Sequence, residues 1–283
     1  HSKHPPLSGW VGYFFSVLSG HSDWSLYFAA QLSLMTGAWF VYKLARMFWD
    51  EYASAVAALL LFFLFYYTPS ETKFSTYFLE IALQPVMAYC FFKALREHRI
   101  HQWLLFGFFC GLGILNKYST FLLLTGFLLI FFLNREYRKQ FFSWGPWLAL
   151  ATFLLVISPH LVWLWNHDFA CFKHIGNRME EEHDWTLPLL VIAAAAYPFA
   201  MQGGVMLLAC LPRFQRWTRK RRDTEIFRWS LILTLVPSVF FIVIALCGND
   251  VIMMWFCSVA SWTGIAVVAA FPFVVDREIF KRV

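Results

Sequence analysis

Charge is the scarcest ingredient of this sequence: of 283 residues only 14% are Asp, Glu, Lys or Arg, while 60% are hydrophobic. Soluble globular chains carry about 25% charged and about 45–50% apolar residues. A soluble domain is therefore excluded, and so is disorder, which requires low hydrophobicity. Alternation is lacking as well. The apolar runs do not alternate over segments of about ten residues, as the strands of a membrane β-barrel would. No self-similar period of roughly 20–50 residues occurs, which excludes a solenoid. Of the 6 cysteines, Cys90, Cys110, Cys210, Cys247 and Cys257 fall in apolar runs and only Cys171 in a loop, so they form no disulfide framework. The chain also lacks an initiating Met and a signal peptide. It opens at His1 on a polar, proline-bearing segment and reads as N-terminally truncated.

What is abundant is aromatic and aliphatic: 33 Phe, 14 Trp and 11 Tyr accompany long apolar runs. A helix needs about 20 mostly apolar residues to cross roughly 30 Å of hydrocarbon. Lipid offers no partners to backbone N–H and C=O groups, so the helix is the expected form. Nine runs qualify as candidate spans, at 24–43, 52–68, 78–94, 102–116, 118–133, 147–164, 188–210, 229–247 and 251–272. The expected architecture is all-α: a polytopic transmembrane helix bundle of about nine spans plus a short interfacial helix. Residues 1–23 form a periplasmic segment and 24–283 the transmembrane helical domain. In the first segment Pro5 and Pro6 stiffen the chain, and Trp10, Phe14, Val17 and Leu18 share one face of a helix too short to span.

Orientation follows from Lys and Arg. The loops 43–51, 95–101, 134–146, 211–228 and 273–283, with their flanking residues, hold 18 of the 23 basic residues. By the positive-inside rule this side is cytoplasmic. The run Arg216–Arg222 sets topology beside anionic headgroups, so neither it nor the net charge of +6 calls for a nucleic-acid partner. The opposite, periplasmic side is poor in such charges but holds 7 of the 9 histidines and a mixture of acids. A functional site is expected there; the plain alternative is solvated loops.

Four periplasmic segments carry the candidates. Lys3 and His4 would lie at headgroup depth, near a phosphate. Lys73 leads to Glu80, a carboxylate near the top of an apolar helix, where ionisation is costly unless paired or watered; Tyr77 and Thr76 lie three and four residues behind it on the same face. Asn116-Lys117-Tyr118 places a lysine between two short apolar runs where topology asks for none. Its ammonium suits an anion at the membrane surface, the alternative being a lysine that snorkels to water. His160, Asn166 and His167 end a Trp-rich span, and Arg178 follows, a residue suited to bidentate phosphate recognition. The scattered His and Glu leave a divalent metal open as a cofactor, without a ligand spacing that would define one. Phe62–Tyr67 or Phe106–Phe109 are candidates to line a groove for an apolar tail, although Phe stripes are more often packing.

Taken in order, Lys3-His-Pro-Pro-Leu-Ser-Gly-Trp10, Lys73-Phe74, Gly111–Tyr118 with its Asn-Lys-Tyr, and Trp165-Asn166-His167 with Arg178 downstream resemble the bacterial family 39-type glycosyltransferases of the GT-C fold. That superfamily includes the lipid A aminoarabinose transferase and the protein O-mannosyltransferases. The resemblance implies transfer of a sugar from a polyprenyl-phosphate donor to a lipid, glycan or protein acceptor at the periplasmic face of a bacterial inner membrane. It implies that Lys117 and Arg178 grip the donor phosphate and that His4 stands where some relatives carry Lys. The family's acidic pair lies in a first periplasmic loop that would precede His1, which leaves Glu80 as a substitute general base. A phosphate leaving group needs cations aimed at the developing charge rather than a general acid. A hydroxyl acceptor needs a base, and a phosphate acceptor does not. The competing readings are a transporter or lipid flippase, and a structural subunit without activity. Ionisable groups gathered at one face favour surface chemistry over the midplane sites of transporters.

Overall fold

The computed structural model describes residues 4–67, 74–169, 171, 186–210, 224–247, 251, 253–271 and 274–283. Among these there are twelve α-helices and no strand. They are α1 (Leu7–Leu18), α2 (Trp24–Ala45), α3 (Glu51–Leu59), α4 (Thr76–Glu97), α5 (Ile100–Asn116) and α6 (Thr120–Leu133). Then follow α7 (Arg135–Lys139), α8 (Trp144–Asn166), α9 (Leu187–Cys210), α10 (Thr224–Leu246), α11 (Cys257–Ala270) and α12 (Arg277–Phe280). All nine apolar runs fall on helices, and α1 is the short helix expected before them.

Length divides the set. Among the described residues, α4, α8, α9 and α10 are each long and apolar enough to cross a membrane. A fifth span arises if α6 is joined to the segment Arg135–Phe142, against which it bends by 92°. The 17 residues of α5 rise only about 25 Å and the 14 of α11 about 21 Å. These shorter helices are therefore packed elements whose ends are completed by turns. The run expected at 52–68 breaks after Leu59 into two 3₁₀ turns, Leu60–Phe63 and Phe65–Tyr67. The run expected from 251 is helical only from Cys257, behind the 3₁₀ turn Met253–Phe256.

The central helix is α4: 83% of its apolar window is buried, against 22% for α8 and 28% for α9, which present their flanks to lipid. It packs on α2 and α5, and α11 lies against it and α10. Lipid tails are as apolar as Leu, so helices associate there through close packing and polar contacts rather than the hydrophobic effect. The α5–α8 crossing shows the first. A Cβ at Gly107 would sit 2.1 Å from the Ala149 carbonyl oxygen and one at Gly111 2.6 Å from Val156, so only a small-residue face lets these backbones meet. Proline lies inside α4, α8, α9 and α10 (Pro85, Pro159, Pro198 and Pro237). Each frees the carbonyl four residues before it. In α8 the Ser158 hydroxyl takes up the freed Leu155 oxygen at 2.8 Å, the kind of local repair that makes proline tolerable in lipid.

The loops sort into two ends. At one, Arg96 donates to the Met47 carbonyl, Gln140 to Leu95 at 2.8 Å, Tyr137 to Glu225 at 3.1 Å and Arg282 to Ala209 at 3.5 Å. These bonds join the basic loops to one another. At the other end Thr76, Glu80, Lys117, Tyr118 and His160 meet. The alternation inferred from Lys and Arg is thus present as contacts.

Candidate functional site

The site forms where the start of α4 meets the turn between α5 and α6. Glu80 lies one turn into α4 and is only 1% exposed. α5 stops at Asn116, and extended backbone at Lys117 turns the chain so that Thr120 opens α6. The turn is tied down twice: Asn116 Nδ2 donates to the Thr76 carbonyl at 2.9 Å, and Thr120 Oγ1 donates to Gly113 at the same distance. These bonds aim Lys117 inward, and its Nζ lies 2.9 Å from Glu80 Oε2.

Both partners are buried, Lys117 being 8% exposed. Glu80 Oε1 also accepts from Ser119 Oγ at 2.8 Å and Gln84 Nε2 at 3.2 Å, and the Cys257 thiol points at Oε2 from 3.8 Å. Each carboxylate oxygen thus has two donors. The ammonium in turn lies over the Tyr77 ring, 4.3 Å from its centre, which adds a cation–π contact. Burial alone would lower the pKa of Lys117, the Glu80 carboxylate beside it opposes that, and the net shift is upward. Beside this pair, the side-chain oxygens of Gln84 and Asn116 are buried acceptors that take no hydrogen bond from the described residues.

A second group adjoins the first through the next residue. Tyr118 shares a 2.8 Å hydrogen bond with His160 Nε2, which α8 brings in nearly two turns before its end. His160 stacks on Trp163, and Trp163 on His167 with ring centres 4.4 Å apart, so three rings line one face of α8 at helical spacing.

Of the residues singled out from sequence, the fold brings Glu80 and Lys117 together, and Tyr118 with His160. His167 joins the aromatic stack, while Asn166 is exposed at the end of α8 and His4 is exposed before α1. Lys3, Lys73 and Arg178 lie outside the described residues, and with Arg178 the expected convergence on Lys117. Three partners were not anticipated. Gln84 had a signal, since it lies four residues after Glu80 on the same helix face. Ser119 had a weaker one, two residues beyond Lys117. Cys257 had none, because 177 residues separate it from Glu80. Among the described residues no group of three or more His, Cys, Asp or Glu comes close enough to hold a metal ion.

The sequence and the fold have relatives among known proteins. The chain is 25% identical over 256 residues to undecaprenyl phosphate-alpha-4-amino-4-deoxy-L-arabinose arabinosyl transferase 2 of Proteus mirabilis, covering 83% of this chain and 44% of that protein. It is 28% identical over 165 residues to the lipopolysaccharide core galacturonosyltransferase RgtA of Rhizobium johnstonii, covering 56% of this chain and 32% of that protein. The chain therefore spans less than half the length of these relatives. The crystal structure of ArnT from Cupriavidus metallidurans in the apo state matches 95% of this chain and 49% of its own, with a TM-score of 0.66 at 18% identity. The same protein bound to undecaprenyl phosphate matches with a TM-score of 0.64. The fold is thus the helical GT-C membrane fold. The model of the dolichyl-phosphate-mannose-protein mannosyltransferase family matches residues 3–163, more than half of the sequence and the part that contains Glu80, Lys117, Tyr118 and His160, and the chain belongs to that family.

Proposed function

We propose that this protein is a membrane glycosyltransferase that moves a sugar from a polyprenyl-phosphate donor to a lipid, glycan or protein acceptor at the periplasmic face of a bacterial inner membrane. The observation that carries the reading is the buried side chain of Lys117 at the poorly basic end of the bundle, paired with and aimed by Glu80. Relatives that act on undecaprenyl-phosphate sugars by name, and a fold neighbour crystallised with undecaprenyl phosphate, support it. As the glycosidic bond breaks, negative charge grows on the lipid phosphate. A cation fixed beforehand in a site of low dielectric stabilises that charge without reorganising. Lys117 spends one N–H on Glu80 and keeps two for the phosphate, and Arg178 is proposed as the second, bidentate grip.

In this reading Glu80 anchors Lys117 rather than serving as general base. Its lone pairs already accept from Lys117, Ser119, Gln84 and Cys257, whereas a base needs one aimed at the acceptor. The sugar and the acceptor would be chosen beyond this pair, with His4, Lys3 and Lys73 near the donor headgroup and Tyr118–His160 on the other flank.

The experiment is transfer of radiolabel from a polyprenyl-phosphate sugar in membranes that contain the protein. Label should move to a lipid, glycan or protein fraction, and which fraction identifies the acceptor. The paired variant Glu80→Gln with Lys117→Gln removes both charges together, so no buried charge is stranded. It should be present in normal amount and transfer on the order of 100-fold less label or worse, as for loss of one oxyanion-stabilising donor. Turnover at the unaltered rate in this variant and in Arg178→Ala would remove all three residues from the site. Absence of any transfer by the unaltered protein would return the readings of a transporter or flippase and of a structural subunit without activity.

A further inference from the structure

A second feature lies at the opposite end of the bundle. α8 packs onto α5 through the close approach at Gly107, while α6 leans onto α10, where Gly126 faces Leu233. The two helices leave a furrow between them, with a cavity of about 270 Å³. Its floor is the buried rings of Phe91, Trp103 and Phe127, and its open rim is Leu128, Phe132 and Trp147. That exceeds the ~150 Å³ apolar cavity that takes up a benzene molecule. Along α5 the lining runs from Trp103 to Cys110 and ends seven residues, or about 10 Å, short of Lys117.

The inner end of the furrow is closed by a turn of distinct chemistry. After α6 the chain bends by 92° into α7, and Phe141, two residues beyond Lys139, lines the cavity with its ring 6.0 Å from Phe132. Trp147 Nε1 holds the Phe141 carbonyl at 3.0 Å and fixes the corner. On α7, Arg135, Arg138 and Lys139 are all exposed, against the single carboxylate of Glu136, which pairs with Lys139 at 2.8 Å with both side chains exposed. Beside them Phe142 is 91% exposed and Trp144 77%, aromatic anchors of the kind found at headgroup depth. An apolar trough that ends at three cations and an aromatic belt matches one ligand shape: an acyl chain that ends in an anionic headgroup.

We infer that the furrow between α6 and α8 binds an acyl chain of an anionic glycerophospholipid of the cytoplasmic leaflet, with the headgroup on Arg135, Arg138 and Lys139. The charge term follows the attraction of basic segments to anionic lipid, and the aromatic walls supply the packing that a featureless helix surface lacks. Such a lipid would brace α6, which follows the turn that holds Tyr118, and α8, which carries His160.

Native mass spectrometry of the detergent-purified protein tests this with dioleoyl-phosphatidylglycerol, dioleoyl-phosphatidylcholine and undecaprenyl phosphate as probes. The phosphatidylglycerol adduct should form at roughly tenfold lower lipid concentration than the phosphatidylcholine adduct. Leu128→Trp, which fills the mouth from an exposed position, should weaken phosphatidylglycerol binding roughly tenfold or more. Replacing Arg135, Arg138 and Lys139 by Gln should bring phosphatidylglycerol down to the level of phosphatidylcholine. Equal binding of the two glycerophospholipids, or indifference to Leu128→Trp, would overturn the inference. So would displacement of phosphatidylglycerol by undecaprenyl phosphate, which would make the furrow a seat for a prenyl tail.

Discussion

At the scale of single residues, the pairing of Glu80 with Lys117 has an energetic consequence as well as a chemical one. Removing one member of a buried ion pair strands the other, at a cost of about 3–5 kcal/mol, whereas replacing both by uncharged groups is often neutral. Glu80→Ala and Lys117→Ala should each lower the thermal unfolding midpoint in detergent sharply, and Glu80→Gln combined with Lys117→Gln should restore most of the loss. Additive losses in the double variant would mean that the two side chains do not depend on each other. Tyr118→Phe takes the hydroxyl from the buried His160 Nε2, which should cost about 1–3 kcal/mol in the same measurement. Both pairs consist of residues that their types and positions marked in the sequence. Their contacts could not be read there, because Glu80 and Lys117 are joined only once α4 and α5 pack side by side.

At the scale of elements, small residues decide which helices touch. Gly107→Val places a side chain against the Ala149 backbone, where no flexible atom can yield, and forces α5 from α8. The expected cost is about 1–3 kcal/mol or more, visible as a lower unfolding midpoint. The same change at Gly203, where an added Cβ would meet no atom of the described residues within 4 Å, should do far less. Equal effects at the two glycines would point to helix propensity rather than contact. The spans themselves were legible because apolar length is a local property. The break after Leu59 and the late start of α11 at Cys257 were not, because the residues there remain apolar while the backbone changes its hydrogen bonding. Hydropathy also cannot distinguish a helix that faces lipid, such as α8, from one enclosed by its neighbours, such as α4.

At the scale of the whole molecule, the contacts separate a basic end from an end that carries the Glu80–Lys117 pair, and the positive-inside rule assigns the basic end to the cytoplasm. A cysteine at Phe142 and one at Trp165, both exposed positions near the ends of α8, test that assignment. The exposed Cys247 would be replaced by Ser to lower the background, the other described cysteines being buried. A membrane-impermeant maleimide added outside the inner membrane should label Trp165→Cys, and Phe142→Cys only after permeabilisation. The reverse pattern would place Lys117 on the cytoplasmic side and remove the periplasmic reaction proposed for it.

Composition and the order of charges by themselves determined that this chain is a helical membrane protein with one basic side and one side poor in Lys and Arg. Burial cost in lipid and attraction to anionic headgroups act on each segment separately, so they are written in one dimension. Tertiary structure alone decided that Glu80 is the partner of Lys117, that Cys257 joins them from 177 residues away, and that α6 and α8 stand apart over an aromatic trough. Such features depend on which helices approach closely and at what rotation. That is settled by shape and hydrogen bonding between segments far apart in the chain, a sum that no single stretch of sequence contains.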